Sequence, residues 1–533
     1  MDQENTYAKP SNAIILAAGY GIRMIPINAV QPKGLLEVHG QTLIERLIQQ
    51  LQSVGIEKIY IVVGFLKEEY EYLIDTYQVE LIYNPEYSSW NNLYSLYLAR
   101  EYLSDTYIVP CDVWLRNNPF SMLERDSWYM VTSEKNRKSV VRVDDNGNLI
   151  ITDQEGNNMV GIAYISGKDA TAISNRLEKW VAGKSHLDSF WEDVLVEGNH
   201  YLVKANLVDE DCVFEINTYE QLRELDSNSN QLKSDAMSTI CAALHVDNKE
   251  IKDIHVLKKG MTNRSFLFSV DDKKYIMRIP GEGTDKLINR AQEADVYKAV
   301  LPYKICDDVV YINPENGYKI SRFVENSRNC NPNDPNDVER CMVRLKELHD
   351  LNLKVPHSFD IFSQIELYEK LRGDINSVYK DYQQTKSRVF RLQDFINQNV
   401  EKKCLTHIDA VADNFLIRPN GMINLIDWEY AGMQDPHVDI AMFCVYSLYN
   451  KRQVDRLIAA YFTDGCDDAT RIKIYCYIAA CGLLWSNWCE YKRNLGVEFG
   501  EYSLRQYRYA KDYYRIVQDE LRKSGESGAQ ENA

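Results

Sequence analysis

A stretch in the second half of the chain carries the residues best suited to chemistry. Residues 407–430 read HIDAVADNFLIRPNGMINLIDWEY. Asp409 can accept a proton from a hydroxyl group, and Asn414 and Asp427 offer the oxygen ligands that Mg²⁺ prefers. The apolar runs on either side of the turn sequence RPNG predict a β-hairpin that holds Asn414 and Asp427 together at its open end. The spacing therefore predicts a site for metal-assisted transfer of a phosphoryl group.

This stretch resembles the catalytic and metal-binding loops of kinase-like phosphotransferases. The matching pattern is His-x-Asp-x-x-x-x-Asn, followed by Ile-Asp-Trp-Glu. The resemblance implies that Asp409 orients and deprotonates the acceptor hydroxyl, while Asn414 and Asp427 hold Mg²⁺ on the phosphates of ATP. We expect His407 to support the loop by hydrogen bonds rather than to take part in the chemistry.

The region before this loop fits the same type of fold. Residues 254–281 predict two or three antiparallel strands with a DD turn, and the pattern from about residue 338 is mostly helical. A small β-rich lobe before a helical lobe is the layout of a two-lobed, protein-kinase-like α+β domain. The resemblance implies that Asn263, Arg278 and Glu293 contact ATP, with Glu293 as the helical partner of Arg278.

The segment IDWEYAGMQDPHVDIA narrows the resemblance to choline and ethanolamine kinases and, more loosely, to aminoglycoside phosphotransferases. The match covers about residues 237–520. A quaternary ammonium group cannot donate a hydrogen bond, so its site uses aromatic faces and nearby carboxylates. The resemblance implies a choline pocket formed by Glu429, Tyr430, Trp485 and Trp488, with Tyr491, Phe499 and Tyr502 nearby. Each ring taken alone is explained at least as well by packing in a core.

The first half carries a different anion-binding pattern in residues 16–48, LAAGYGIRMIPINAVQPKGLLEVHGQTLIERLI. Gly19 and Gly21 follow a predicted strand, where backbone amides can approach an anion closely. Arg23 and Lys33 add positive charge. The pattern is neither a dinucleotide fingerprint nor a Walker A loop. It resembles the signature of nucleotidyltransferases that act on sugar phosphates and phosphocholine.

Over nearly all of residues 11–226 the chain is similar to bacterial CTP:phosphocholine cytidylyltransferases. The CTP-binding residues that this resemblance implies are Leu16, Ala17, Ala18, Gly19, Gly21, Arg23 and Lys33. Arg23 and Lys33 would also act in catalysis by neutralising the triphosphate and the leaving pyrophosphate. Asp112, after the strand YIVPC, and Asn217, in FEINT, would hold Mg²⁺.

Two positions depart from the pattern of that family. The family commonly has Asp at the position of Asn217, and an Asn that caps its own turn is the alternative explanation. The segment SEKNRKSVVRVDDNG lacks the Trp expected near the choline group. Trp128, Trp191 or Tyr side chains are the candidates to replace it.

The first half alternates between short apolar strands and amphipathic helices. Strands are predicted at 13–17, 59–63, 79–83 and 107–110, and helices at 41–54, 67–75 and 91–101. This alternation predicts a parallel sheet covered on both faces, with ligands at the carboxyl ends of its strands. With the resemblance, it implies an α/β, Rossmann-like (GT-A-like) nucleotidyltransferase domain.

Length and composition limit the remaining choices. A chain of 533 residues predicts two to four domains. We expect a nucleotidyltransferase domain at 1–226, a polar linker at 227–236, a kinase-like domain at 237–523 and a disordered tail at 524–533. The net charge of −17 argues against nucleic acids and anionic membranes as partners. Scattered Cys residues, with no predicted signal peptide or membrane span, favour a cytoplasmic location.

The two halves together predict one bifunctional enzyme of CDP-choline synthesis. Its partners would be the small molecules ATP, choline, CTP and phosphocholine, and both sites would use Mg²⁺. Three alternatives remain open: the same reactions on ethanolamine or another amino alcohol, a sugar nucleotidyltransferase fused to a small-molecule kinase, and a regulatory or binding protein whose transferase half is inactive. The sequence does not indicate the oligomeric state.

Overall fold

The computed structural model divides the chain into two compact units. The first comprises Met1–Lys258 and Phe266–Asp271, and the second comprises Lys259–Ser265 and Asp272–Ala533. The described residues are 7–19, 24, 31–184, 186–257, 263–281, 284, 287–373, 376–494, 497 and 499–523. Gly21, Arg23 and the predicted tail 524–533 lie outside them.

The first part of the chain alternates strands and helices. In chain order its elements are β1 (Asn12–Ala17), β2 (Glu37–Val38), β3 (Gln41–Thr42), α1 (Leu43–Ser53), β4 (Lys58–Val63), α2 (Tyr72–Tyr77), β5 (Glu80–Tyr83), α3 (Asn92–Leu98), β6 (Thr106–Pro110), β7 (Val113–Leu115), β8 (Trp128–Asn136), β9 (Val141–Val143), β10 (Asn148–Ile151), β11 (Gly156–Ile165), α4 (Gly167–Gly183), β12 (Val196–Glu197), β13 (His200–Val208), β14 (Val213–Glu215), α5 (Tyr219–Leu225), α6 (Asp235–Leu244), β15 (Lys252–Val256) and β16 (Asn263–Val270).

The main sheet is mixed, and its first half is the parallel sheet that the sequence predicts. Strands β5, β4, β1 and β6 are neighbours and run parallel. The four predicted strands are therefore parallel, whereas strand β11, for which no strand was predicted, runs antiparallel to β6 and to β8. Strands β9 and β10, and no helix, lie between β8 and β11 along the chain, so no helical crossover makes this pair parallel.

Both faces of the parallel half are covered, as predicted. All six residues of β1 are buried. Ala13 and Ile15 belong to the core that contains the buried stripe of α1. Ile14 and Leu16 belong to the opposite core, which contains apolar residues of α3 and α4. The alternation of side chains along one strand therefore joins two cores.

The segment predicted as a linker packs within the first unit. Ser229 Oγ donates to the carbonyl oxygen of Glu37 over 3.0 Å, and Tyr219 Oη donates to that of Leu232 over 3.0 Å. Farther along, β15 pairs antiparallel with the part of β16 in the same unit. The domain limits 226 and 237 stay a prediction.

The second unit continues with a few strands and then mainly helices. Its remaining elements are β17 (Lys273–Pro280), α7 (Arg290–Val300), β18 (Val309–Ile312), β19 (Lys319–Arg322), β20 (Arg328–Asn329), α8 (Pro335–Asp350), α9 (Ile361–Arg372), α10 (Tyr382–Asn399), β21 (Cys404–Thr406), β22 (Phe415–Ile417), β23 (Ile423–Leu425), β24 (Gly432–Gln434), α11 (His437–Tyr446), α12 (Lys451–Tyr461), α13 (Asp468–Asn494) and α14 (Glu501–Lys523).

The strands of the second unit position its polar loops. Strand β17 pairs antiparallel with β19, which pairs with β18. Asp271 and Asp272, the predicted DD turn before β17, both have positive φ, at 48° and 60°, as a tight hairpin turn requires. The predicted hairpin around RPNG is present as β22 and β23. Helices α8–α14 contribute most of one large core.

Throughout the part of the chain that the structure describes, every helix is too short or too polar to cross a bilayer.

Candidate active sites

In the first unit, three of the predicted residues meet. The ammonium group of Lys33 donates to a carboxylate oxygen of Asp112 and, over 2.6 Å, to the amide oxygen of Asn217. Only 11% of the Lys33 side chain and 20% of the Asp112 side chain are exposed. A cation therefore lies between the two oxygen atoms that were predicted to hold Mg²⁺.

Backbone pairing explains why Asp112 and Asn217 are neighbours. Asp112 lies between β6 and β7, and β7 pairs antiparallel with β14, so that Val113 faces Glu215. The next step of this ladder is a bond of 2.9 Å from Ile216 N to the carbonyl of Asp112. One residue later, the Asn217 side chain projects beside Asp112. The position of Asn217 thus follows from the register of two short strands.

Thr218, rather than Asn217, is the N-cap residue of the helix that follows. A capping box of Thr218 and Gln221 begins α5, and Gln221 Oε1 accepts from Asn217 N over 2.7 Å. The Asn217 amide oxygen instead accepts from Lys33. The Asn217 side chain therefore faces a cation, and its role as a metal ligand stays a prediction.

The predicted CTP loop leaves the carboxyl end of β1, between β4 and β6. The carbonyl of Leu16 accepts from Cys111 N over 3.2 Å, and that of Ala18 accepts from Phe65 N over 3.1 Å. Leu16, Ala17 and Ala18 are buried, whereas a side chain added at Gly19 would meet no atom of the described residues within 4 Å. Among the described residues, Gly19 is therefore the first position after β1 that is open to a ligand. Gly21 and Arg23 lie outside the described residues.

The aromatic candidates of the first unit lie in different places. Trp128 pairs with Tyr164 near the beginning of β6, away from the end that leads to Asp112. Trp191 packs on Tyr129 with 5.9 Å between ring centroids. Tyr129 Oη accepts from Gly161 N over 2.9 Å, and Gly161 packs against Pro110 at the end of β6.

A carboxylate missed by the sequence analysis lies in this aromatic cluster. Burial, together with the nearby charges of Asp193 and Glu215, raises the pKa of Glu192 to about 7. Glu192 Oε2 has no hydrogen-bond partner among the described residues. The charge of Glu192 in turn helps to raise the pKa of Tyr129 and Tyr201. No short-range motif marks this residue, because the rings come from distant strands.

In the second unit, the hairpin places the predicted phosphotransfer residues together. Asn414 Nδ2 donates to the backbone carbonyl and to Oδ2 of Asp409, each over 2.9 Å. Ile426 N donates to the carbonyl of Asn414 over 3.0 Å, which extends the β22–β23 ladder to the residue before Asp427. The amide oxygen of Asn414 is then the group left for a metal.

Two carboxylates of this site are costly to ionise. Burial outweighs the hydrogen bond from Asn414 and raises the pKa of Asp409 to about 6. Burial also raises the pKa of Asp427 to about 6, with Arg278 opposing the shift. A cation that approaches such a carboxylate stabilises its ionised form.

The residues of both sites fit Mg²⁺. Asp427 Oδ1 is buried and accepts no hydrogen bond from the described residues, and its nearest cation is Arg278 Nη1 at 3.8 Å. In the first unit, the Lys33 ammonium marks a cation position between two oxygens. The described residues contain no cluster of three or more His, Cys, Asp or Glu suited to a metal. Mg²⁺ commonly takes one or two protein oxygens and completes its shell with water and substrate phosphates.

Arg278 and Glu293 form a buried, two-pronged ion pair. Arg278 Nη1 and Nη2 contact the two Glu293 oxygens over 2.5 and 2.7 Å. Burial works to raise the pKa of Glu293, but the pair with Arg278 outweighs it and the pKa is lowered. The structure brings these residues together, and their role in binding ATP stays a prediction.

Arg290, which the sequence analysis missed, extends this pair into a network. Arg290 Nη1 contacts Glu293 over 3.3 Å and Glu429 over 3.2 Å, and Asn263 Nδ2 donates to the same Glu429 oxygen over 2.9 Å. Glu429 is thus placed with the predicted ATP residues. Its role in the choline pocket stays a prediction. The spacing of Arg290 and Glu293 on α7 was the available signal.

The predicted aromatic pocket is a connected cluster of rings. Trp485 lies 6.3 Å from Tyr430, 5.0 Å from Tyr446 and 5.6 Å from Trp488, measured between centroids. Phe499 continues the cluster at 5.0 Å from Trp488. Tyr446, another residue that the sequence analysis missed, lies near Asp409, and burial and the Asp409 carboxylate together raise the pKa of the Tyr446 hydroxyl. The rings therefore adjoin the predicted proton acceptor.

Asp439 holds the backbone of the phosphotransfer loop. Its two carboxylate oxygens accept from His407 N over 2.9 Å and from Ile408 N over 2.6 Å. Ile408 has a φ of 67°, a costly conformation for a β-branched residue. His349 Nε2 lies 2.9 Å from the same carboxylate and Nδ1 lies 2.8 Å from Tyr461 Oη. Three helices thus support the residues just before Asp409.

His407 links this loop to the metal loop. Its Nε2 bonds to the carbonyl of Ile426 over 3.0 Å, and its ring packs on Trp428. Burial lowers the pKa of His407 to about 4, so the ring is neutral near pH 7. These contacts agree with the predicted supporting role.

Comparisons with known proteins assign the two parts of the chain. Residues 13–124 match the family model of the MobA-like NTP transferase domain. Over 220 residues the chain is 33% identical to choline-phosphate cytidylyltransferase of Streptococcus pneumoniae, covering 40% of this chain and 96% of that protein. The first part of this chain belongs to the choline-phosphate cytidylyltransferase family. A 2-aminoethylphosphonate cytidylyltransferase of Lancefieldella rimae is 32% identical over 229 residues, which is 41% of this chain and 90% of that protein.

The second part matches a kinase family. Residues 254–462 match the choline/ethanolamine kinase family model. Protein LicA of Haemophilus influenzae is 28% identical over 268 residues, covering 46% of this chain and 96% of that protein. A solved choline kinase LicA of Streptococcus pneumoniae covers 52% of this chain and 97% of its own, at 26% identity and a TM-score of 0.46. The kinase family model over residues 254–462 and the cytidylyltransferase relative of the first part together confirm the resemblance of the two halves to these two families.

Replacing Asp439 tests its support of the phosphotransfer loop. In Asp439→Asn, the amide group cannot accept both backbone hydrogen bonds, so Ile408 and then Asp409 lose their orientation. We expect kcat for phosphoryl transfer to fall about 100-fold, with a much smaller change in the KM for ATP. Steady-state kinetics with both substrates varied measure this split.

Asp455→Asn is the matched control for that variant. Asp455 accepts from Tyr475 and Lys451 on the helical lobe, away from the phosphotransfer loop. The control should keep a normal kcat. Equal losses of kcat in the two variants, or a loss confined to KM in Asp439→Asn, would contradict the positioning role.

The raised pKa of Asp409 predicts a pH-dependent stability effect. The ordinary Asp pKa is about 3.9 in an unfolded chain, against about 6 in the fold. Above pH 6 the folded state holds a disfavoured charge, and below pH 4 both states are protonated. Asp409→Asn should therefore raise the free energy of unfolding by on the order of 1–2 kcal/mol at pH 8, and by almost nothing at pH 4.

Urea unfolding of the full chain in EDTA measures this difference. Asp413→Asn is the control, because Asp413 is exposed and belongs to the same loop. If Asp409→Asn increased the free energy of unfolding as much at pH 4 as at pH 8, burial of the Asp409 charge would not be the cause of the increase.

Proposed function

We propose that the chain makes CDP-choline in two steps. In the second unit, the choline hydroxyl attacks the γ-phosphorus of ATP, its proton passes to Asp409, and ADP leaves. In the first unit, a phosphate oxygen of phosphocholine attacks the α-phosphorus of CTP, and pyrophosphate leaves. The product of the first step is the substrate of the second.

The observation that carries the choline assignment is the ring cluster beside Asp409. Tyr446 packs on Trp485, and the Asp409 carboxylate is near enough to help burial raise the pKa of the Tyr446 hydroxyl. A methylated ammonium gains about 0.5–2 kcal/mol of binding free energy from each ring face that it contacts. In choline, the hydroxyl group lies a few bonds from this ammonium. An acceptor held by its ammonium among these rings would present its hydroxyl to Asp409.

The ion network of the second unit supports nucleotide binding. Arg278, oriented by Glu293, lies 3.8 Å from Asp427 Oδ1 and can share the phosphate charge with a metal there. Asn414 and Asp427 are the residues that would hold Mg²⁺ in this unit. Bound Mg²⁺ supplies neutralisation of phosphate charge as the leaving group departs. Asp409, ionised at neutral pH, takes the proton of the acceptor.

In the first unit, the protein mainly positions charges. Lys33 can contact the triphosphate, and Asp112 with Asn217 would hold Mg²⁺. In-line attack by a phosphate oxygen needs no proton acceptor, because the nucleophile is already ionised. Together with Arg23, these residues would supply the charges that cytidylyl transfer needs.

The head group has one specific competitor. The relative named for 2-aminoethylphosphonate shows that an acceptor with a primary ammonium occurs in a similar cytidylyltransferase. A primary ammonium prefers carboxylate and carbonyl acceptors, whereas a quaternary ammonium prefers rings. Ethanolamine and its phosphate are therefore the second candidates.

Single substitutions should separate the two activities. Asp409→Asn should lower choline phosphorylation by about 10²–10⁴-fold, because proton transfer is lost. Cytidylyl transfer from CTP to phosphocholine should be unchanged in that variant. Asp112→Ala should show the reverse pattern. ADP release and pyrophosphate release, assayed separately on the full chain, measure the two activities.

The control arm replaces one substrate at a time. Choline, ethanolamine and 2-aminoethylphosphonate are compared at equal concentrations in the appropriate assay. A higher kcat/KM for ethanolamine than for choline would overturn the head-group assignment. Loss of both activities in either variant would contradict independent sites.

Trp485→Ala tests the aromatic pocket. We expect the KM for choline to rise about tenfold or more, since a ring face and its packing are lost, and the KM for ATP to change little. Tyr513→Ala is the matched control, because Tyr513 is a buried ring in contact with Tyr475 and Tyr509. An equal rise in both KM values for Trp485→Ala, or the same effect in the control, would favour simple core packing.

A further inference from the structure

The first unit holds a balanced group of charges at its predicted metal position. Lys33 contributes one positive charge, Asp112 one negative charge and Asn217 none. Lys33 touches the ligand oxygens of both other residues. The group is therefore neutral, and a divalent cation gains little net attraction from it alone.

The backbone of all three residues is held by regular structure or by tight packing. Lys33 begins a short 3-10 helix, Asp112 follows β6, and Asn217 precedes the capping box of α5. Gly34, next to Lys33, packs against Tyr70 and Cys111, which limits movement of the backbone. The flexible Lys33 side chain is the member of the group that can move most easily.

We propose that Lys33 occupies the place of the divalent cation until a nucleoside triphosphate draws it away. The triphosphate offers Lys33 a stronger partner and brings phosphate oxygens for the cation. Metal and nucleotide then bind as one coupled event. Asn217 sets this coupling, because an amide at this position leaves the group neutral, whereas a carboxylate would give it a negative charge.

According to the proposal, the net charge of Lys33, Asp112 and Asn217 determines how tightly a divalent cation binds without nucleotide. Asn217→Asp changes the charge from zero to −1 with almost the same shape. Lys33→Met also changes it to −1 and removes the competing ammonium. Both variants should bind a divalent cation without nucleotide, and the double variant, at −2, should bind it most tightly.

Mn²⁺ binding to the full chain tests the proposal. Free Mn²⁺ is followed by electron paramagnetic resonance, first without nucleotide and then with CTP. We expect Asn217→Asp and Lys33→Met to tighten Mn²⁺ binding about tenfold or more in the absence of CTP. In the unaltered protein, addition of CTP should increase the amount of bound Mn²⁺ above the amount bound without nucleotide. Asn217→Asp should reduce the gain due to CTP, since coupling is reciprocal.

Asp112→Asn is the control for the site. All variants keep Asp427 and Asn414, so that Mn²⁺ bound by the second unit is a common background. The proposal is overturned if the unaltered protein binds Mn²⁺ without CTP as tightly as Asn217→Asp does, and Asp112→Asn removes that binding. It is also overturned if neither variant binds Mn²⁺ more tightly. Thermal unfolding of each variant checks the fold, and the near-isosteric Asn217→Asp suffices if Lys33→Met is unstable.

The proposed function enters this experiment only through the choice of CTP. The nucleotide-free titrations need neither phosphocholine nor turnover. Inactivity of the first unit towards phosphocholine would refute the proposed reaction and leave the Mn²⁺ comparison valid.

Discussion

Both sites depend on a cation held against carboxylate oxygens. The chain carries 78 acidic and 61 basic residues. Because negative charge is already in excess, placing more of it in one site increases electrostatic repulsion. In the first unit Lys33 compensates Asp112, and in the second Arg278 and Arg290 compensate Glu293 and Glu429. These cations let carboxylates lie close to where anionic nucleotides would bind.

In the second unit, the negative charges of Asp409 and Asp427 are only partly compensated by nearby cations, and this affects the chemistry of the site. Arg278 stays 3.8 Å from Asp427, and the carboxylates of Asp409 and Asp427 keep raised pKa values of about 6. A fully paired carboxylate would be a weak base and a poor ligand for a further cation. The site therefore keeps charge that it cannot neutralise without ligand, at a cost in stability.

Backbone pairing supplies the precision that these charges need. The β7–β14 ladder aligns Asp112 with Asn217, and the β22–β23 hairpin aligns Asn414 with Asp427. Asp439 adds two hydrogen bonds that hold Ile408 at positive φ, so one buried carboxylate stabilises an unfavourable backbone. The cost of that conformation is met by the helical core rather than by the loop itself.

The sequence alone determined the local features. Apolar periodicity predicted β1, α1 and β4, turn chemistry predicted the hairpins, and spacing within 24 residues predicted Asp409, Asn414 and Asp427 as a group. These features depend on neighbours along the chain, whose side-chain directions follow from strand or helix geometry. Only the tertiary structure decided which distant residues meet. Arg290 with Glu429, Asp439 with His407, Tyr446 with Asp409 and Lys33 with Asn217 join separate elements, and long-range packing, not sequence spacing, brings their charges and rings together.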